Sequence, residues 1–369
     1  MRLGSLQLQD FRNLVEVSVE PSPRLTVLLG PNGQGKTNLL EAVYLLTTLR
    51  PLRALRLGEL IRFGQPRASV GASVWRGSVE RRLSVEVLPG QRNAQLDGKP
   101  IERLDDYLDG LAAVCFSPDD LQLVKGGPEG RRRFLDRAAF NRWPAVLGEA
   151  RQYVRALRER NAALRAGDAA VEQSFRDPMV RAGARLLLRR RDIVEELSPR
   201  LATAFAEISG PGAPPADLAY RPSGGLAASG TEVELADRLA ALLEARLRRD
   251  LDRGYSTCGP HMDDLLLALG GRAARVYGSQ GQQRAFALGL RIAEVENLRA
   301  VQHEAPLLLL DDVSSELDPE KNGFLLDYVG GLPAQAFLTS TDRRLIEPLA
   351  GEETLFFAVA AGAISPLLS

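Results

Sequence analysis

Residues 30 to 37 read Gly30-Pro31-Asn32-Gly33-Gln34-Gly35-Lys36-Thr37. Glycines at this spacing let a backbone wrap an anion with its N–H groups pointing inward, and the closing Lys-Thr pair adds a cation and a hydroxyl. The run follows an apolar stretch, Leu25 to Leu29, and precedes a segment with Leu39, Val43 and Leu46 at helical spacing. A loop placed there caps a helix N-terminus, whose dipole favours phosphate. Lys36 is the expected point charge on the β- and γ-phosphates of a nucleotide, and the Thr37 hydroxyl the expected ligand of Mg²⁺.

A second segment supplies carboxylates. Leu307-Leu308-Leu309-Leu310 runs straight into Asp311-Asp312. Four leucines in a row suit a strand of a parallel sheet covered on both faces. Asp311 at its end is expected to anchor the metal, and Asp312 to polarise the attacking water. Lys36, Asp311 and Asp312 are therefore the candidate catalytic residues.

The elements that must position these groups fall into three stretches. In the first, Leu3, Leu6 and Leu8, then Val15, Val17 and Val19, alternate as half-buried strands do. A helix is expected from Lys36 to Leu49, and a hairpin from Ala68–Val74 and Val79–Val87 around Arg76-Gly77-Ser78, with a further turn at Asp97-Gly98. From about Gly130 the period becomes helical. Leu147, Ala150, Val154, Leu157, Asn161 and Leu164 form a seam of about three heptads, interrupted at Gly167-Asp168. Asp177-Pro178 reads as N-cap and first residue of a second helix, striped by Val180, Ala184, Leu187, Val194, Leu197 and Leu201. Glu232 to Leu251 is another amphipathic helix; then come a strand at Leu265–Leu269, a helix at Gln282–Arg299 and a strand at Ala336–Leu338.

The chain has 369 residues, 45% hydrophobic and 25% charged, as in a globular protein with a core. Lys and Arg total 47 and Asp and Glu 47, so any binding to nucleic acid must use local patches rather than the global field. Cys115 and Cys258 are too few for a disulfide framework, and with only His261 and His303 they argue against a Cys/His metal site. No stretch approaches the ~20 apolar residues of a membrane span, and the start lacks a signal-peptide core. The expectation is a reduced, soluble, cytoplasmic protein with no membrane partner.

Ser279-Gln280-Gly281-Gln282-Gln283-Arg284 resembles the signature of ABC-type ATPases. The resemblance implies that Ser279, Gly281 and Gln282 cover the γ-phosphate of ATP bound to a second copy. Ser314-Ser315-Glu316-Leu317-Asp318 is similar to the D-loop of that superfamily, which implies that Ser315 and Asp318 cross the same interface. The implied fold is α/β: an ABC-ATPase head with a mixed sheet around the phosphate loop, plus a helical second lobe carrying a short antiparallel two-helix arm. Residues 1–120 and 300–369 would form the ATP-binding lobe, and 121–299 the helical lobe with the signature.

Other segments narrow the resemblance to the RecF family of bacterial recombination-repair ATPases, on the SMC and Rad50-like branch. They are Phe11-Arg12-Asn13, Asn38-Leu39-Leu40-Glu41-Ala42, Phe116-Ser117-Pro118-Asp119-Asp120-Leu121 and Val124-Lys125-Gly126 with Arg131-Arg132-Arg133-Phe134-Leu135-Asp136. Gly259-Pro260-His261, Asp263-Asp264 and Tyr277-Gly278-Ser279 complete the set. The family implies nucleotide contacts from Arg12 and from residues 30 to 38, Asn38 included. It also implies an ATP-dependent homodimer on double-stranded, gapped or junction DNA, with weak DNA-stimulated ATP hydrolysis. Its partners would be RecR with RecO and, indirectly, RecA. An ATP-binding scaffold with negligible turnover is the alternative.

The chain departs from the pattern in places. Asp312 stands where most ABC ATPases carry the longer Glu, which predicts slow hydrolysis, since ~1 Å of misplacement costs ~100-fold in rate. Thr339-Ser340-Thr341-Asp342 fills the switch region without a histidine, no Q-loop glutamine is evident near Ser117-Pro118-Asp119, and Met262 stands where Arg is expected. For DNA, Arg181, Arg185 and Arg189 lie four apart with Arg190 and Arg191 beside them, and Arg151, Arg155 and Arg158 do much the same. The same stripes also read as solvated faces paired with Glu149, Glu159, Glu195 and Glu196. Arg131-Arg132-Arg133 and Arg50, Arg53 and Arg56 are further candidates, and no aromatics interleave any of them.

Overall fold

The computed structural model describes residues 1–53, 56–108, 110–312, 317–347 and 350–367. The chain divides into two units, Met1–Asp120 with Glu294–Ser369, and Leu121–Ala293.

Two six-stranded sheets build the first unit. One is antiparallel, in the order β2-β1-β4-β5-β6-β7: β1 (Arg2–Phe11), β2 (Leu14–Val19), β4 (Ala68–Arg76), β5 (Val79–Leu88), β6 (Gln91–Leu96) and β7 (Lys99–Pro100). The expected hairpin is β4–β5, closed at Arg76 opposite Val79 with Gly77 in the left-handed region at φ 56. In β2 the alternation of the valines holds at Val17 and Val19 and breaks at Val15. Leu14 takes the core position, leaving Val15 exposed while Val17 and Val19 are buried.

The other sheet runs β15-β14-β3-β13-β12-β8: β3 (Leu25–Leu29), β8 (Ala113–Phe116), β12 (Leu307–Asp311), β13 (Ala336–Ser340), β14 (Thr354–Ala360) and β15 (Ala363–Leu367). All neighbours are parallel except β14–β15. β12 lies between two parallel strands, so Leu307 to Leu310 are buried on both faces, as their unbroken run requires. Helix α1 (Lys36–Thr48) packs against strands of both sheets and buries residues all round its circumference. Tertiary packing thus makes a central helix of what its spacing read as one-faced. A short α2 (Leu104–Leu108) precedes β8.

The second unit is mainly helical, with α3 (Leu121–Lys125), α4 (Pro128–Arg142), α5 (Val146–Ala166), α6 (Ala169–Ser209), α7 (Glu232–Arg253) and α8 (Ala274–Tyr277). A small sheet β11-β10-β9 joins β9 (Ala216–Arg221), β10 (Asp264–Leu269) and β11 (Arg272–Ala273). Helix α9 (Gln280–Gln302) carries the chain back to the first unit, where α10 (Pro319–Gly331) follows.

Two expectations for the arm need correction. The second arm helix does not start at Pro178. It starts at Ala169, its end capped by Asp168, whose carboxylate accepts from the N–H groups of Ala170 (3.1 Å) and Val171 (3.0 Å), and Pro178 and Pro199 lie inside it. Gly167, at φ 70, ends α5 and leaves Asp168 free to cap, so the reversal takes two residues. The α5 seam holds at its ends, where Leu147 and Leu164 are buried, but is out of phase between them: Val154 is exposed, while Tyr153, Ala156 and Arg160 are buried. Partners elsewhere in the fold override the aliphatic pattern. The Tyr153 hydroxyl lies 2.6 Å from His261 Nδ1, and the Arg160 guanidinium meets Glu172 at 2.6 Å and Asp250 at 2.9 Å. The predicted α6 stripe from Val180 to Leu201 is buried throughout. Helix α7 packs along α6 through Leu235, Leu239 and Leu243, behind a Thr231–Glu234 capping box.

Candidate functional site

The loop between β3 and α1 is held from three sides. Gly30 passes so close to β14 that a Cβ there would stand 2.2 Å from the Val359 carbonyl oxygen. Asn13, in the β1–β2 turn, donates to the Gln34 carbonyl at 3.1 Å, and Asn38 donates to Asn13 Oδ1 at 2.7 Å. The β14–β15 turn adds two bonds to Gln34: Gly362 N–H to its carbonyl (3.0 Å) and Ala361 N–H to its side-chain oxygen (2.7 Å). Gly35, at φ 118, opens α1 without a side-chain cap. The first N–H groups of the helix therefore face the loop as an anion seat.

Lys36 curls into that loop. Its ammonium donates to the carbonyls of Gly30 (2.5 Å) and Pro31 (2.9 Å) and lies 3.4 Å from Asn32 Oδ1. Burial lowers its pKa from the ordinary lysine value, opposed by the charges of Asp312 and Asp311. The Thr37 hydroxyl donates to Asp311 Oδ1 at 2.7 Å. Asp311 is buried at the end of β12 and takes two more donors: the Thr339 hydroxyl at 3.0 Å, and Arg53 at 2.6 Å on its other oxygen. Asp312 is half-buried with a left-handed backbone, φ 46, and its N–H donates to the Thr339 hydroxyl at 2.9 Å. Asn32, Gly33, Gly35 to Asn38, Arg53, Pro118, Asp311, Asp312 and Thr339 line one open cleft of about 260 Å³.

The structure thus brings Lys36, Thr37, Asp311 and Asp312 together from opposite ends of the sequence. It does not bring Arg12 to the cleft. The Arg12 guanidinium forks onto buried Glu41 (2.9 and 3.2 Å) and donates to the Glu59 carbonyl (2.8 Å). Two residues the sequence reading left out of the site prove to shape it, and one that it included has a second role. Arg53, grouped with DNA candidates, is the cation on Asp311 and reaches Asp119 at 3.5 Å. Thr339 bridges both aspartates, and the polar run beginning at Thr339 at a buried strand's end was the available signal. Gln34 is the residue through which the β14–β15 turn grips the loop, and nothing local announces that.

In the second unit, Ser279 is exposed at the head of α9, where it and Gln282 form a reciprocal cap: Gln282 N–H to Ser279 Oγ (3.2 Å) and Ser279 N–H to Gln282 Oε1 (2.9 Å). Because the serine oxygen accepts, its own proton stays available to an anion. Gly281 lies in the first turn of α9, and Gln283 ties back to the carbonyls of Ala274, Arg275 and Gly278. Of the D-loop candidates, Asp318 caps α10 at Lys321 N–H (3.0 Å), and Ser315 lies outside the described residues.

The arginines expected to meet DNA are largely committed elsewhere. Arg131 is buried and forks onto Asp264 at 2.7 and 3.0 Å, so it is not a surface contact; Arg132 donates to the Asp263 carbonyl at 2.8 Å. Arg185 pairs with Glu232 at 2.9 Å, and Arg189 reaches Glu149 at 3.7 Å while stacking on Trp143. Arg190 is buried among Asp136, Asp263 and the Pro260 carbonyl. Arg155 with Glu159 and Arg191 with Glu195 complete the paired pattern, and only Arg181 of the α6 triplet is exposed without an acidic partner among the described residues. Glu149, Glu159 and Glu195 pair as the solvated-face reading has them, while Arg131, Arg185 and Arg190 meet carboxylates distant in sequence that helical spacing does not show.

The chain matches the RecF/RecN/SMC N terminal domain family over residues 2–359. It is 68% identical over 372 residues to the DNA replication and repair protein RecF of Anaeromyxobacter dehalogenans (strain 2CP-1 / ATCC BAA-258), covering 100% of both chains. The chain belongs to the RecF family. Within that family it is similar to the solved recombination mediator protein RecF-ATP of the RecFOR pathway: 29% identity, TM-score 0.87, 99% of each chain covered. An Smc head domain from Pyrococcus furiosus shares the fold at 18% identity and a TM-score of 0.54, over 99% of this chain and 96% of that one. The chain is therefore a RecF-family protein of DNA replication and repair with the ABC-type ATPase head. Among its described residues, no helix is long and apolar enough to cross a membrane.

Proposed function

We propose that the cleft on the first unit binds Mg·ATP, that ATP closes two copies of this chain on DNA, and that slow hydrolysis reopens the pair. The observation that carries this is the meeting of Thr37 Oγ1 and Asp311 Oδ1, 2.7 Å apart, beside the uncapped start of α1. Two hard oxygen donors of this kind suit Mg²⁺: Thr37 and Asp311 would hold it, and it would supply charge neutralisation at the phosphates. In this reading Lys36 leaves the Gly30 and Pro31 carbonyls for the phosphates, the α1 N–H groups hold them, and Asp312 accepts a proton from the attacking water. Ser279, Gly281 and the start of α9 then seat on the triphosphate of the second copy, and residues around Asp318 flank that interface. The lobe of residues 1–120 and 300–369 would hold the nucleotide, and the lobe of 121–299 would present the signature.

A relative described as a recombination mediator of the RecFOR pathway supports a role beside RecR and RecO in placing RecA at single-strand gaps. Size exclusion with light scattering, with and without ATP, tests the closure. Ser279→Arg should leave ATP binding intact and abolish the ATP-dependent dimer; a dimer that persists in this variant refutes the two-copy site. The competing reading, an ATP-binding scaffold with negligible turnover, is decided at Asp312. A longer-lived dimer in Asp312→Asn supports hydrolytic release, and an unchanged lifetime favours the scaffold.

A further inference from the structure

Pairing sorts the arginines of the second unit into two populations. Those on α6 and on the inner faces are mostly matched to carboxylates: Arg160, Arg176, Arg185, Arg190 and Arg191 each have at least one within 3.4 Å. Others have none among the described residues, Arg181 on α6 and Arg248 on α7 included, and six of them gather on α5 and α7. Arg151, Arg158 and Arg165 repeat every seven residues along α5, so they share one face two turns apart, and all three are exposed. Arg246, Arg249 and Arg253 follow at three and four residues along α7, exposed or half-exposed. The two rows converge at the end of the hairpin, where Arg165 packs on Gly254: a Cβ on that glycine would lie 3.0 Å from Arg165 Cγ.

We propose that this α5–α7 face, rather than the α6 stripe, grips the phosphate backbone of duplex DNA. The inference rests on the DNA-binding reading above and names its surface. Three considerations favour a duplex backbone as the occupant. A cation without a carboxylate partner is free to replace a counterion on a phosphate, whereas a paired one must first lose its partner. The α5 row spans about 21 Å, along which a duplex presents about a dozen phosphate charges. Among the described residues Tyr255 is the one large aromatic exposed beside the cluster, its hydroxyl 3.3 Å from Arg253, and they form no stacking row to favour single strands. Nearby acids are few: Asp252 is exposed, and Asp168 is occupied in capping α6.

The test is fluorescence anisotropy of full-length protein with ATP on a duplex of about 30 base pairs, repeated over a range of salt. Arg158→Gln with Arg165→Gln, and separately Arg249→Gln with Arg253→Gln, should each weaken binding at least ~10-fold at 0.1 M salt. Each pair should also lower the slope of log K against log salt by ~2, at about 0.9 per phosphate contact. Arg185→Gln with Arg189→Gln, already paired, should change the slope by less than ~0.5. Thermal unfolding and ATP-dependent dimerisation should stay at wild-type values in all three, which separates lost contact from lost fold. Unchanged affinity and slope in the α5 and α7 variants, while wild type binds, would overturn this surface alone; so would an equal loss in the α6 variant. Failure of the wild-type protein to bind any duplex overturns the DNA reading itself and this surface with it.

Discussion

Replacing Thr339 with valine keeps the side-chain volume and removes one hydroxyl. That hydroxyl is 3.0 Å from Asp311 Oδ1 as donor and 2.9 Å from the Asp312 N–H as acceptor, in a residue that is 1% exposed. A hydrogen bond to a carboxylate contributes about 1.5–3 kcal/mol, and an N–H left without a partner costs about 1–3 kcal/mol where water does not reach it. Asp312 is half-buried, so water recovers part of the second amount, and a net loss of about 2–4 kcal/mol is expected. At 2–4 °C per kcal/mol for a unit of about 200 residues, the midpoint should fall by roughly 4–16 °C. The catalytic consequence is larger. Asp312 holds φ 46 with its N–H anchored on Thr339, and without the anchor its carboxylate relaxes away from the loop. A shift of ~1 Å predicts ~100-fold slower hydrolysis, with the KM for ATP changed by no more than about twofold because Lys36 and the α1 N-terminus are untouched. Single-turnover hydrolysis of radiolabelled ATP reads the chemical step, and Thr339→Ser, which retains the hydroxyl, should restore it. A valine variant that hydrolyses at the wild-type rate, or a serine variant as slow as valine, would refute the positioning role.

Three further outcomes follow from the same geometry. Arg53→Met removes the cation at 2.6 Å from Asp311, so nucleotide binding should need about fivefold less Mg²⁺, the effect of ~1 kcal/mol from a partly exposed pair, read by titrating Mg²⁺ against a fluorescent ATP analogue. Arg160→Met leaves Glu172 and Asp250 buried without their shared guanidinium and should destabilise by about 3–5 kcal/mol in urea unfolding; a loss under ~1 kcal/mol would show that the trio is solvated. His261 has its pKa lowered by burial. The unfolded chain therefore takes up a proton near pH 6.5 that the native one does not, and stability should fall as pH drops below that value. His261→Gln should abolish this part of the pH dependence in denaturant titrations from pH 8 to 5.5.

Local chemistry determined a good deal of this protein in advance. Residues 30–37 carry their conformation in their own composition, four leucines before an aspartate suit a doubly covered strand, and Ser279 with Gln282 cap each other within one turn. These are short-range effects, and they put Lys36, Thr37, Asp311 and Asp312 on the right elements. What the sequence left undecided was every choice that depends on a distant partner. Arg131 and Arg160 have the same spacing as surface arginines, and only Asp264 and Asp250, folded against them from far along the chain, with Glu172 across the α5–α6 reversal, make them interior. Arg53 turned inward because a buried carboxylate at the end of β12 needed a counter-charge. The start of α6 moved from Pro178 to Asp168 because the reversal at Gly167 exposed helix N–H groups that a carboxylate could cap at once. Burying a charge is costly unless its partner arrives with it, and Arg131 with Asp264 and Arg160 with Asp250 stand 133 and 90 residues apart, beyond any local window.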